Sequence, residues 1–222
     1  MKRIIYACAV AIIALFASCD SHIDLDPPTP PASNPKQCDI LCTDGAVMDY
    51  DAYAESGKKA IGVVFYVNRN TNIEGKGYAV YLWNIEPEVF SDSLGISQGT
   101  SADITAYDGN TNTYAIQSNK AVTSPLGISV FDIWTYGQSA YIPSVAQMRL
   151  LYNAKYIVNP YIEKCGGTPI TDEDADCWYW TSTEVSGQQL TKAWLYSLGS
   201  GTMQETPKSQ AHKARPIITI MD

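Results

Sequence analysis

The chain has 222 residues, 45% of them hydrophobic, and a formal net charge of −8. That length suits one domain with a real core, and an acidic chain without a basic run repels phosphate backbones, which argues against a nucleic-acid partner. Only two histidines occur, His22 and His212, so a histidine-based zinc site is nearly excluded.

The chain opens MKRIIYACAVAIIALFASCD. Lys2 and Arg3 precede an apolar run of 13 residues, Ile4 to Phe16, and Ala17-Ser18 places small residues before Cys19. The run is shorter than the ~20 residues of a spanning helix and reads as a secretory signal peptide over residues 1–18. Small residues before a cysteine resemble a lipoprotein signal box, with Phe16 where Leu is usual and Leu15 one place earlier. The resemblance implies that Cys19 is lipidated, and each buried CH2 of the acyl chains contributes about 0.8 kcal/mol to anchoring. Residues 19–37 hold five prolines between Pro27 and Pro35 and almost no large apolar side chain, which suits a semi-rigid tether. Asp20, Asp24 and Asp26 resemble the acidic signals that send some lipoproteins to the outer surface. The expected address is the cell envelope, as an outer-membrane lipoprotein exposed at the surface, with residues 38–222 as its folded domain and the lipid as its sole hold on the membrane.

Four cysteines remain in that domain: Cys38, Cys42, Cys165 and Cys177. An even number in an exported chain suggests disulfides, and four allow three connectivities. Closeness in sequence favours Cys38–Cys42 and Cys165–Cys177. The competing arrangement joins the N-terminal segment to the late loop.

Along the domain, Ile61 to Asn68 is rich in Val, Phe and Tyr and predicts a central strand buried on both faces. A turn over residues 70–77 leads to a second strand, Tyr78 to Ile85, completing an antiparallel hairpin. Residues 86–109 are rich in Ser, Asp and Gly and read as irregular. A short helix is expected near Asn112, with Tyr114, Ile116 and Gln117, and residues 120–140 fit either helix or loop. The clearest helix follows Pro143. Ser144 is its N-cap and Gln147 completes a capping box, with Val145, Met148, Leu151, Tyr152 and Lys155 at helical spacing. Asn159-Pro160 is expected to break or kink it, and Gly166-Gly167 to end it. The last third reads as strands: residues 178–185; Ala193 to Leu198, with Trp194, Tyr196 and Leu198 alternating against Ala193, Leu195 and Ser197; a turn at Gly199 to Gly201; and a final strand over residues 212–220 with Pro216 at an edge or bulge. Strands, a helix and strands again make an α+β domain with antiparallel sheets.

The segments YIPSVAQM, YWTSTE, KAWLYSLGSG and KARPI stand in that order. Their order and spacing resemble the Lcl C-terminal-domain family, best over residues 141–220 and loosely from residue 60. Gln147-Met148 departs from that family's Glu-Leu, and ARPII from its terminal-strand pattern. The resemblance implies a C-type-lectin-like fold, shared with formylglycine-generating enzymes and with the variable ligand-binding proteins of diversity-generating retroelements. In that fold the last strands and the long loops before them display a binding surface. Similar lipoproteins occur at the tips of fimbriae. The resemblance also places Trp180 and Trp194 in the core, and Glu184 and Arg215 at polar positions that suit buried hydrogen bonds or an ion pair.

Three site chemistries are weighed on the residues. Asp172, Asp174 and Asp176 alternate as a calcium loop begins, but no Gly stands at the sixth position and no Glu at the twelfth, which favours a solvated acidic loop over a metal site. Glu184 and Asp176 could pair as catalytic carboxylates, yet His212 is the sole domain histidine, and a non-catalytic protein without a cofactor is expected. The aromatic run is the third. With Trp180 pointing inward, strand alternation turns Tyr179 outward and leaves Trp178 inward or at the loop mouth. Trp178, Tyr179, Gln188, Gln189, Leu195 and Ser197 are the expected contact surface for a glycan, a host protein or a neighbouring pilin.

Overall fold

In the computed structural model the β-branched run over residues 60–67 becomes the middle strand of a five-stranded antiparallel sheet. The structure describes residues 34–221, apart from 70–72, 74, 136, 137 and 174. The expected signal peptide, the lipidation site Cys19, most of the tether and Asp174 lie outside the described residues. The last tether residues pack on the domain: Pro35 is buried, and the Gln37 side chain donates to the Phe65 carbonyl.

Strand β1 (Ile40–Cys42) pairs with the two-residue β2 (Val47–Met48) and with β3 (Ala60–Val67); a short helix α1 (Tyr50–Ser56), capped by Asp49, lies between β2 and β3. β4 (Gly77–Tyr81) returns antiparallel to β3, as the sequence predicts. It ends at Tyr81, short of the expected Ile85. β5 (Ile85–Val89) then leaves the first sheet, although residues 86–89 read as irregular. Pro87 is tolerated because β5 has a single partner, β11 (Ala211–Ala214).

After a long irregular segment come α2 (Gly109–Ser118) and α3 (Pro125–Phe131), the latter inside the stretch that fits helix or loop. Ser124 caps α3 from its side chain, and Pro125 opens it. The two-residue strands β6 (Trp134–Thr135) and β7 (Gln138–Ser139) precede the main helix α4 (Val145–Lys164). α4 starts with the expected capping box of Ser144 and Gln147. Pro160 does not end it. The ring is exposed, and the next turn still buries Ile162 in the core, so the helix runs on to Lys164.

The last strands form a three-stranded sheet in the order β10-β9-β8, from β8 (Trp178–Glu184), β9 (Lys192–Ser197) and β10 (Met203–Pro207). The β9–β10 turn has Gly201 at φ 73°, a left-handed conformation that favours glycine. The expected single terminal strand is divided: β11 pairs with β5, and after Arg215-Pro216 the chain crosses to β12 (Ile217–Ile220) at the edge of the first sheet beside β4. The domain is therefore α+β, with antiparallel pairing throughout its named strands.

Both sheets are covered on both faces. Val63, Phe65, Tyr78, Val80, Tyr179, Tyr196 and Leu198 pack with the α4 residues Leu151, Val158 and Ile162. Ile61, Val64, Ala79, Trp180, Ala193 and Leu195 pack in a second cluster with Phe90, Ile116 and Leu126. Alternation, broken in β3 by the register shift beside Ile61, thus divides one apolar run between two cores.

Candidate functional site

Strands β8 and β9 and the turn between them carry the residues on which the expected surface rests, and double coverage changes the roles of those in the strands. Trp180 is buried as expected. Its indole N–H donates to the Glu88 carbonyl at 3.0 Å, and its ring meets Phe90 and His212 edge-on, each at 5.4 Å between centroids. Tyr179 faces the opposite way, but into the other core, and is 0% exposed. Leu195 and Ser197 are 1% exposed. Tyr179, Leu195 and Ser197 are therefore corrected from contact residues to interior ones: α4 and the first sheet cover Tyr179 on one face, while Leu195 packs with Phe90, Ile116 and Leu126 on the other and Ser197 Oγ lies against Cys177 Sγ. Trp178 is half-buried at the strand start, and Gln188 and Gln189 are half-buried in the β8–β9 turn.

The expected disulfides do not form in the structure, and neither favoured pairing fits the fold. Cys38 N bonds the Val64 carbonyl while Cys42 stands opposite Ala60. Four strand residues separate those levels, about 13 Å, against the ~7 Å limit for bridged Cα atoms. Cys177 lies with its sulfur 3.1 Å from Ser197 Oγ, near the backbone that Lys155 holds at Leu198 and Gly199. Cys165 is ten residues further along α4, about 15 Å.

The acidic loop is tied down by lysines. Lys155, 1% exposed, reaches Asp172 and the Leu198 carbonyl, between the Tyr152 and Tyr156 rings. Lys155 and the Tyr156 hydroxyl together hold the Asp172 carboxyl below its usual range. Lys213 pairs with Asp176 and lies over the Tyr179 ring. Among the described residues no three His, Cys, Asp or Glu side chains are grouped to hold a metal ion; Asp174 is outside them.

Glu184 and Arg215 are both buried but do not pair with each other. Arg215 donates to Asn84 Oδ1 at 2.9 Å and the Leu82 carbonyl at 3.1 Å, and burial lowers its pKa to about 10. Burial raises the neighbouring Tyr179 hydroxyl to about 12.

Glu184 is the centre of the site that the sequence does not disclose. Its Oε1 accepts from Lys208 Nζ at 2.6 Å and from Gln98 N at 2.8 Å. Its Oε2 accepts from Ser97 Oγ at 2.8 Å, from Thr100 Oγ1 at 3.1 Å and from Thr100 N at 3.3 Å. Lys208 also donates to the Ile96 carbonyl at 3.0 Å, and both charged side chains are 0% exposed. A buried charge pair is costly unless its remaining valences are met, and here they are met by one loop, residues 96–100. The same loop is stitched to the β8–β9 turn by Gly95 N donating to the Leu190 carbonyl at 2.8 Å.

No family model matches the chain, and no curated protein shows significant similarity to it. The site is accordingly read from its own geometry. The inner side of the loop is fastened to Glu184 and Lys208, while Leu94 and Ile96 on its outer side are exposed at 46% and 37%, and Leu190 in the adjoining β8–β9 turn at 54%. Gln188, beside this apolar group, donates to Glu205, which also pairs with Lys192. A surface depression of about 360 Å³ between α2 and α3, lined by Ile116, Gln117, Ile128 and Phe131, and one of about 300 Å³ lined by Cys38, Tyr50 and Tyr161 both exclude Glu184. Lys208 and Thr100 offer no motif to a sequence reader, because their partner is 24 to 84 residues away.

Proposed function

We propose that this protein is a surface-exposed outer-membrane lipoprotein whose domain, of C-type-lectin-like type, binds a partner without catalysing a reaction. A subunit at a fimbrial tip is one specific form of this role. The observation that carries the reading is the fastened loop: a fully buried ion pair holds residues 96–100 from beneath while Leu94, Ile96 and Leu190 face outward with Gln188 and Gln189 beside them. Apolar side chains held in place lose little entropy on contact, which suits recognition. Against turnover stands Glu184, one of the two carboxylates that the sequence offers for catalysis, whose oxygens already accept five hydrogen bonds. Gln188 and Gln189 of the β8–β9 turn belong both to this region and to the surface that the family resemblance implies.

The test is a screen of the purified protein against glycans, host surface proteins and pilins, comparing wild type with Leu94→Ser/Leu190→Ser and with Gln188→Ala. The double variant is expected to weaken binding at least about tenfold, as the loss of two contact residues would, with its melting temperature kept, and Gln188→Ala to weaken it less. Equal binding by all three proteins removes this surface. Co-purification with a pilin supports the tip role, and recovery of the lipoprotein alone in the membrane counts against it. Loss of palmitate labelling in Cys19→Ala tests the anchor separately.

A further inference from the structure

Three observations place Cys42 and Cys165 at one end of the same layer. First, the segment leading into β1 starts beside α4, and from there the strand and the helix take steps of matching length. Cys38 Sγ reaches the Ile157 carbonyl at 3.6 Å. Four strand residues onward, about 13 Å, is Cys42, and eight helix residues onward, about 12 Å, is Cys165. Second, the side chains face each other's layer. Ile40 and Cys42 share the strand face that packs in the α4 core, and Leu151, Ala154, Val158, Ile162 and Cys165 follow one stripe of the helix into that core. Third, the chain after Cys165 docks on the end of the sheet where Cys42 sits. Thr168 N donates to the Leu82 carbonyl, Leu82 N donates to Ile61, and the neighbouring Ala60 is opposite Cys42.

We propose that Cys42 and Cys165 form a disulfide that clamps the first strand of the domain to the end of its main helix. Both thiols bear on Tyr53, whose hydroxyl is raised by burial and further by Cys165 and Cys42. Burial pushes the Cys42 thiol up to about 11, with Asp44 and the Cys165 thiol adding to the rise and Lys58 opposing it. Cys42 is buried and Cys165 is half-buried, so Cys165 is the sulfur that an oxidant reaches first. Its thiolate attacks a disulfide of a thiol–disulfide oxidoreductase, or oxidised glutathione, and one thiol leaves. The Cys42 sulfur, giving up its proton, then attacks Cys165 Sγ and the second thiol leaves. Two electrons and two protons pass from the cysteines to the oxidant. The step belongs to an oxidising compartment and so rests on the export reading, whereas the pairing rests on geometry alone.

The clamp meets a weak place in the fold. β1 has only the two-residue β2 on its outer side, and it is the first strand after residues 1–33. A pull on the N-terminal segment would peel β1 from β3; the bridge passes that load to α4.

The experiment is peptide mapping after alkylation of the full-length protein, as exported and, separately, as reduced folded protein treated with oxidised glutathione. The expected result is a Cys42–Cys165 cross-linked peptide in both, with Cys38 and Cys177 alkylated, and a melting temperature about 10 °C above that of reduced protein. Cys165→Ser, at the half-buried position, should fold, lack the cross-link and lose the reductant-dependent shift. Separate alkylation of Cys42 and Cys165 under both conditions overturns the proposal, as does bridging of either to Cys38 or Cys177. A bridge formed with glutathione but absent from exported protein upholds the pairing and overturns the export reading instead.

Discussion

Glu184 and Lys208 show how one buried residue pair holds a surface loop from beneath. Both are buried, and removing one partner leaves the other charge uncompensated. Lys208→Met should therefore destabilise by about 3–5 kcal/mol in urea denaturation. Combining it with Glu184→Gln should cost less than the two single losses added, because the double variant leaves no unpaired charge. His212 contributes a pH response just below neutrality. Burial lowers its pKa from 6.5, so the unfolded chain takes up this proton more readily than the folded one. Its contribution to stability is complete above pH 6.5 and falls as the pH drops from 6.5 through its lower folded value. Its ring stands edge-on to Trp180, with Glu88 opposite in the β5–β11 pair. His212→Phe should keep the ring contact and flatten the loss of stability between about pH 7 and pH 5, read from denaturation midpoints across that range.

At the scale of elements, α4 is the part whose start and face are written locally. Ser144 accepts from Gln147 N, and the Gln147 side chain accepts from Ser144 N. Ser144 Oγ also donates to the Ala106 carbonyl at 2.7 Å, joining the helix start to the segment before α2. Ser144→Ala should cost about 1 kcal/mol or somewhat more, since a cap and a tertiary bond go together. Chemical denaturation measures it, and a loss confined to a few tenths would show that the second bond contributes nothing. Pro160 inside the helix and the division of residues 212–220 between two sheets are settled by other means. Each depends on what the neighbouring segment buries: Ile162 on α4, and Ile217 against Val80 on β4.

The whole molecule decides which loops move. Residues 91–108 carry little secondary structure, yet Gln98 N and Thr100 N are bonded to a buried carboxylate. These amides should exchange with solvent as slowly as core amides, although the loop is a surface segment. Hydrogen exchange on Lys208→Met should show the protection of Gln98 N and Thr100 N falling further than that of α4 amides, which fall only as far as the global loss of stability requires; an equal fall across the domain would mean that the pair supports global stability and not the loop in particular.

The sequence by itself determined the α+β class, the β3–β4 hairpin, the cap and stripe of α4, and the strands β8 and β9. These follow from local rules: strand alternation, helical spacing and capping act within a few residues. Only the tertiary structure decided that Tyr179, Leu195 and Ser197 are interior, because a strand's alternation says which residues share a face but not whether both faces are covered. It also decided that Glu184 answers to Lys208 and the 96–100 loop, and that Cys42 stands at the helix end with Cys165. Those partners are brought together by chain crossings of 24 to 123 residues, and no local pattern encodes a contact at that range.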